Sequence, residues 1–144
     1  MGIISRETRD VDCLDPQIPD DILVAAEHFS NENTKFNLAK KWINNGPDSL
    51  KKDLDSGWYL RTQVIFNGRA ILFRTLSRID LLKSKLFAYC DRDLDFQDCL
   101  KMKPRIEELN ECYKWVAERD GNPGWLKNVE NHFNQIKKEL GYGK

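Results

Sequence analysis

Polar and apolar residues alternate along Thr8-Arg9-Asp10-Val11-Asp12-Cys13-Leu14, the period of a half-buried strand. Asp15-Pro16 ends it, because the residue before proline is pushed to an extended form and proline has no N–H for a ladder. Pro19-Asp20-Asp21 then opens a helix: proline suits the first turn, and two acids complement the positive end of the helix dipole. Ile22, Leu23, Ala25, Ala26 and Phe29 supply its apolar face, and it frays in Ser30-Asn31-Glu32-Asn33. Residues 36–54 read as irregular chain with two short helices, interrupted at Asn44-Asn45-Gly46-Pro47.

The pattern then sharpens. Residues 59–66 and 70–76 read as strands on either side of Asn67-Gly68-Arg69, and Asn-Gly is a strong hairpin signal. Ser77 suits an N-cap, and after it Ile79, Leu82, Leu86, Tyr89 and Cys90 recur at helical spacing. A short helix is expected over residues 95–102. Pro104 starts another, carrying Ile106, Leu109, Tyr113, Trp115 and Val116. Asp120-Gly121-Asn122-Pro123 is a turn, with Asn122 placed to cap a last helix whose face is Trp125, Val129, Phe133, Ile136 and Leu140. Mixed strands first and helices afterwards predict an α+β fold with a small mixed sheet. Residues 1–144 are expected to form one domain, with a strand-containing half (1–76) and a helical half (77–144).

Composition narrows the function classes without choosing one. Hydrophobic residues at 40% rule out wholesale disorder. Twenty-three basic and twenty-three acidic residues cancel, so net charge offers no argument for a nucleic-acid or membrane-surface binder. No apolar run approaches the roughly 20 residues of a membrane span, and the first residues lack a signal-peptide core. A cytoplasmic protein is expected. Cys13, Cys90, Cys99 and Cys112 show no metal or redox spacing, so reduced, mostly buried thiols are expected.

Asp10 and Asp12 are the first candidates for chemistry. Two apart on a strand, they point to one face with Cα atoms about 6.6 Å apart. Such a pair can share Mg²⁺ and orient a triphosphate. The plainer alternative is the solvated face of an edge strand, which also favours charge.

In context, Arg6-x-Thr8-x-Asp10-x-Asp12 resembles the first motif of the minimal, toxin–antitoxin-type nucleotidyltransferases of the polymerase-β-like superfamily. Lys85-Leu86-Phe87-Ala88, followed by Arg92, Asp95 and Asp98, is similar to the helical motif of those proteins. Leu14-Asp15-Pro16, Asn45-Gly46-Pro47, Gly57-Trp58, Cys90-Asp91-Arg92 and Gly121-Asn122-Pro123 resemble an uncharacterised bacterial subgroup. The resemblance implies Mg²⁺-dependent transfer of a nucleoside monophosphate from an NTP to a hydroxyl of protein, RNA or a small molecule. It makes Asp10 and Asp12 the metal ligands and catalytic pair. Arg6, Thr8, Lys85, Asp95 and Asp98 become the substrate and phosphate contacts.

Two features depart from that family. Its Gly-Gly or Gly-Ser phosphate turn comes before the arginine, whereas this sequence starts five residues before Arg6; an N-terminally truncated, weak or inactive enzyme is the expectation. The third metal-binding acid, expected within residues 59–66, is also missing from Tyr-Leu-Arg-Thr-Gln-Val-Ile-Phe. Gln63 there is a poor ligand. The competing expectation is therefore a non-catalytic module, an antitoxin-like partner or a homodimer, that keeps the fold.

The remaining polar residues have ordinary readings as well. Asp95 and Asp98 share a helix face and would equally cap a helix or pair with Arg92 or Lys101. Periodicity cannot separate Lys85 from Lys83, and a lysine stem packed on Leu82 and Tyr89 with its head in water would suit either. His28 and His132 lack acid or cysteine partners at ligand spacing, and packed or solvent-facing rings are expected. Trp115, Tyr113, Trp125 and Phe133 read as core between the last two helices.

Overall fold

The alternation around Asp10 yields only a short strand, β1 (Val11–Asp12). A computed structural model describes residues 9–47 and 50–142. β1 pairs in parallel with β2 (Ile43–Asn44), Val11 opposite Ile43 and Asp12 opposite Asn44. The Val11 N–H donates to Trp42 O, and the Cys13 N–H donates to Asn44 O at 2.8 Å. The chain forms two compact units, one ending at Leu54 and the other beginning at Asp55.

In the first unit, α1 (Asp20–Glu32) starts after Pro19 with Asp20 and Asp21 in its first turn. It ends at Glu32, within the stretch where fraying was expected, and is closed by Asn33, whose backbone N–H and side-chain amide both donate to Phe29 O. The Trp42 indole N–H donates to Ala26 O at 2.7 Å, tying β2 to α1. The apolar face expected on α1 is not buried: Ile22, Leu23 and Phe29 stay exposed, and Phe29 meets the rings of Phe36 and Trp42.

Asn45 is more than the breaker its neighbours suggested. Its amide donates to Cys13 O (2.8 Å) and Pro16 O (3.1 Å), while its oxygen accepts the Ile18 N–H (2.9 Å). One side chain thereby closes the cis Asp15-Pro16 turn that carries the chain out of β1. A helical turn, α2 (Leu50–Asp53), follows.

The second unit opens with a 3₁₀ helix over Trp58–Arg61, where a strand was expected. Gly57, at φ 76°, starts that turn in the left-handed region that favours glycine. The strand β3 (Gln63–Asn67) is correspondingly shorter and pairs antiparallel with β4 (Leu72–Thr75). Among the described residues the strands form two separate pairs, one parallel and one antiparallel. The hairpin clusters with the helices and not with β1.

Four helices complete this unit: α3 (Arg78–Arg92), α4 (Phe96–Lys101), α5 (Ile106–Ala117) and α6 (Trp125–Glu139). Ser77 caps α3 as expected, its hydroxyl accepting the Asp80 N–H at 3.2 Å. Asp95 occupies the N-cap position of α4 without a side-chain cap bond. Asn122 stands two residues ahead of the true N-cap, Gly124, whose N–H it accepts at 2.8 Å.

The core lies where the helical periodicity indicated. Leu82, Leu86, Leu109, Val116, Val129, Phe133 and Ile136 are fully buried. Tyr113 meets Phe133 edge-on at 5.3 Å, and the Trp125 indole donates to Val116 O. The result is an α+β protein with small two-stranded sheets and a helical C-terminal half.

Candidate functional site

Asp12 lies within β1 and Asp10 directly precedes it; both are exposed. The backbone beneath them is held by the β1–β2 ladder and by the Ala39 N–H, which donates to Arg9 O at 3.0 Å. Gly46 leaves space beside them. A Cβ there would lie 3.8 Å from an Asp12 carboxylate oxygen and collide with Asn44 Oδ1, which accepts the Gly46 N–H. Arg6 and Thr8, the other members of the first motif, lie outside the described residues.

Mg²⁺ is commonly bound by one or two carboxylates, substrate phosphates and retained waters. An exposed Asp10–Asp12 pair fits that mode as a two-carboxylate contribution. Among the described residues no three His, Cys, Asp or Glu side chains gather at metal-binding range. Gln63, where a third acid was expected, opens the exposed strand β3.

Lys85, Asp95 and Asp98 converge within the second unit. The Lys85 ammonium donates to Asp98 Oδ2 at 2.9 Å and to Asp95 Oδ1 at 3.2 Å. The Asp98 side chain is only 6% exposed and that of Lys85 19%. Burial alone would lower the Lys85 pKa; hydrogen bonds and charge from the two carboxylates outweigh it and raise the pKa above the ordinary lysine value. Both acids pair with Lys85, and Arg92 meets Asp91. The left-handed backbone at Asp93 and Asp95 turns the chain tightly enough to return both acids to α3.

Lys83, which periodicity could not distinguish from Lys85, is the more deeply buried. Its side chain is 4% exposed and donates to Asp55 (2.6 Å) and Glu111 (3.0 Å). Next to it, Asp80 has no exposed surface and receives two hydrogen bonds from Arg61, at 2.8 and 3.0 Å, and one from Ser77 at 2.6 Å. Burial favours the protonated Asp80, but the Arg61 and Ser77 bonds prevail and hold its carboxyl below the ordinary range. Arg78 reaches Glu108 and Met102 O. Sequence reasoning passed over Arg61, Asp80 and Glu111, and weighed Lys83 only as an alternative to Lys85. The Ser77-x-x-Asp80 spacing, a helix-capping signature, was the one local signal.

The histidines behave as expected in part. His28 is solvent-facing as expected, but Glu32, four residues on, supplies the acid partner it was expected to lack, 3.3 Å from its Nδ1. His132 packs against Tyr89 and gains an acid that spacing could not reveal: its Nε2 lies 3.0 Å from Asp93, 39 residues away. A groove of about 640 Å³ lies between α5 and α6, bordered by Tyr113, Lys114, Phe133 and Lys137; none of the predicted site residues lines it.

Comparison with known proteins adds one match. Residues 1–104 fit a family described as "Nucleotidyltransferase of unknown function (DUF6036)", a span that includes Asp10, Asp12, Lys85, Asp95 and Asp98. Neither the curated proteins nor the solved structures gave a match. With nearly three quarters of its length covered by that one description, the chain belongs to this family of nucleotidyltransferases.

Proposed function

We propose that the protein transfers a nucleoside monophosphate from an NTP to a hydroxyl acceptor, with Asp10 and Asp12 as the catalytic pair and Mg²⁺ as cofactor. The observation that carries this reading is the family match across residues 1–104, which spans the exposed aspartates. In the reaction the acceptor oxygen bonds to the α-phosphorus as the bond to the β-phosphate oxygen breaks, releasing pyrophosphate. One of the two carboxylates accepts the hydroxyl proton. Bound Mg²⁺ would neutralise phosphate charge and lower the pKa of the hydroxyl. Arg6, Thr8 and Lys85 would contribute phosphate contacts, with Asp95 and Asp98 orienting the Lys85 ammonium. We place this chemistry in the cytoplasm; among the described residues no helix is long and apolar enough to cross a membrane.

A second reading has its own support. With Gln63 at the start of β3, where a third acid was expected, a non-catalytic nucleotidyltransferase-like module, such as an antitoxin-like partner, would need neither metal nor NTP. Calorimetry with ATP and Mg²⁺ separates the two. Micromolar binding that disappears in Asp12→Asn, with label transfer from radiolabelled NTP, supports the enzyme. Absence of binding at millimolar ATP leaves the non-catalytic module.

A further inference from the structure

We propose that His132, on the helix that follows the family-matched residues 1–104, is a positioning residue for Lys85. It holds Asp93, and through Asp93 the turn that returns Asp95 and Asp98 to the Lys85 ammonium. Its consequence for nucleotide binding rests on the reading above, in which Lys85 contacts phosphate.

The turn needs holding. Asp93, Leu94 and Asp95 alone separate α3 from α4. Asp93 has φ 56° and Asp95 has φ 66°, both in the left-handed region. Aspartate tolerates that region better than most residues, but without glycine it is sparsely populated. Such a backbone persists where the surroundings fix it. Each of the two left-handed residues has its side chain held from a different helix: Asp95 by Lys85 of α3 at 3.2 Å, and Asp93 by His132 of α6 at 3.0 Å.

The His132 ring is itself fixed. Its Nδ1 lies 2.8 Å from Asn128 O, one turn back on α6, and its ring meets Tyr89 edge-on at 4.6 Å. Asn128 O and the Asp93 carboxylate are both acceptors, so an imidazolium satisfies the two at once. The helix beneath the ring is tied to the end of α3. The Asn128 amide donates to Cys90 O at 2.6 Å, and the Tyr89 hydroxyl donates to Gln135 Oε1 at 2.9 Å. The histidine side chain is 16% exposed and that of Asp93 85%. A pair with one partner so exposed adds little to stability. What it supplies is direction, because it fixes the chain as it leaves α3, two residues before Asp95.

Lysine reactivity in the absence of nucleotide tests the positioning. The folded 144-residue protein is treated with an amine-modifying reagent, and the rates at Lys85 and Lys83 are followed by mass spectrometry. Lys83, paired with Asp55 and Glu111, is the internal control for general loosening. His132→Leu should speed modification of Lys85 about twofold to fivefold, the range that loss of one exposed pair can produce, and leave Lys83 unchanged. His132→Gln keeps an N–H in the position of Nε2 and should restore the slow rate. In calorimetry with ATP and Mg²⁺, His132→Leu should weaken binding by a similar factor. That effect should vanish in a Lys85→Met background, since residues acting through one another are not additive.

Equal acceleration at both lysines, no acceleration at Lys85, or a glutamine variant that behaves like the leucine one overturns the proposal. So does ATP binding that His132→Leu leaves unchanged, or a loss of binding that persists without Lys85. If the unaltered protein binds no ATP, the nucleotidyltransferase reading fails, and lysine modification still decides the positioning.

Discussion

Lys85 donates to Asp98 across 2.9 Å while Asp95 takes a second of its protons at 3.2 Å, so a lysine from the middle of α3 is clasped by two acids from the start of α4. The arrangement gives α4, a helix of six residues, a charged anchor that its length alone could not supply. It also fixes the ammonium group that the family resemblance assigns to phosphate contact.

Removing one acid should expose the asymmetry of this clasp. Asp98→Ala leaves the part-buried Lys85 with only Asp95, and a loss of about 1–3 kcal/mol is expected for a buried donor that loses its better partner. Asp95→Ala, at the more exposed acid, should cost less. The double variant Lys85→Met/Asp98→Leu should be more stable than the sum of its single changes, because the buried acid and its lysine go together and only the more exposed Asp95 loses its lysine. Urea unfolding of the unaltered protein and five variants (Asp98→Ala, Asp95→Ala, Lys85→Met, Asp98→Leu and the double change) measures all three quantities.

Arg61 and Asp80 join the 3₁₀ helix to α3 through two hydrogen bonds, with Asp80 entirely buried. Arg61→Ala would strand that carboxylate, at a cost of about 3–5 kcal/mol. Asp80→Asn should be milder, since the amide oxygen still accepts one bond. A smaller loss for Arg61→Ala than for Asp80→Asn in thermal unfolding would contradict the assignment.

Acid sensitivity follows from the same pair. The carboxyls of Asp80 and Glu108 are both held below their ordinary values, 3.8 and 4.5; for Glu108 the Arg78 hydrogen bond is the main cause. A carboxylate with a depressed folded pKa contributes stability that is fully present above its unfolded pKa and lost as pH falls toward the folded one. Stability should therefore hold down to about pH 5 and decline below it. Arg61→Ala should flatten the decline. Urea midpoints from pH 3 to pH 7 would show a shallower slope in the variant.

Thiol reactivity should divide the cysteines one against three. Burial pushes Cys90, Cys99 and Cys112 up to about 12, whereas Cys13 is part-exposed. At pH 8 one thiol should react promptly with an aromatic disulfide reagent and three only after unfolding, because the thiolate is the nucleophile. A Cys13→Ser protein that still releases a prompt equivalent would show that a second thiol is accessible.

Local pattern carried the helical half well. Leu82, Leu86, Leu109, Val129, Phe133 and Ile136 repeat at 3.6 residues and are all buried, since one face of a helix is set by spacing alone. Ser77 and the turn after Asn67 were likewise readable, because capping and tight turns depend on neighbours within a few residues. The Asp10–Asp12 pair and the Lys85, Asp95 and Asp98 group were legible only as a joint resemblance. No short-range rule selects Lys85 over Lys83.

Tertiary structure decided what pairs with what. Asn45 closes a turn nearly 30 residues upstream, Lys83 joins Asp55 to Glu111, Arg61 neutralises Asp80, and Asp93 finds His132. Each of these links two segments whose separation in the chain carries no periodic signal. A buried charge must nevertheless find a partner somewhere, because leaving it alone costs several kcal/mol, as order of magnitude. Sequence by itself determined the helices of the C-terminal half and their apolar faces, where the physics is local, but not the 3₁₀ turn at Trp58–Arg61 or the burial of α1. The choice of partner for each buried ion was decided only when distant segments met.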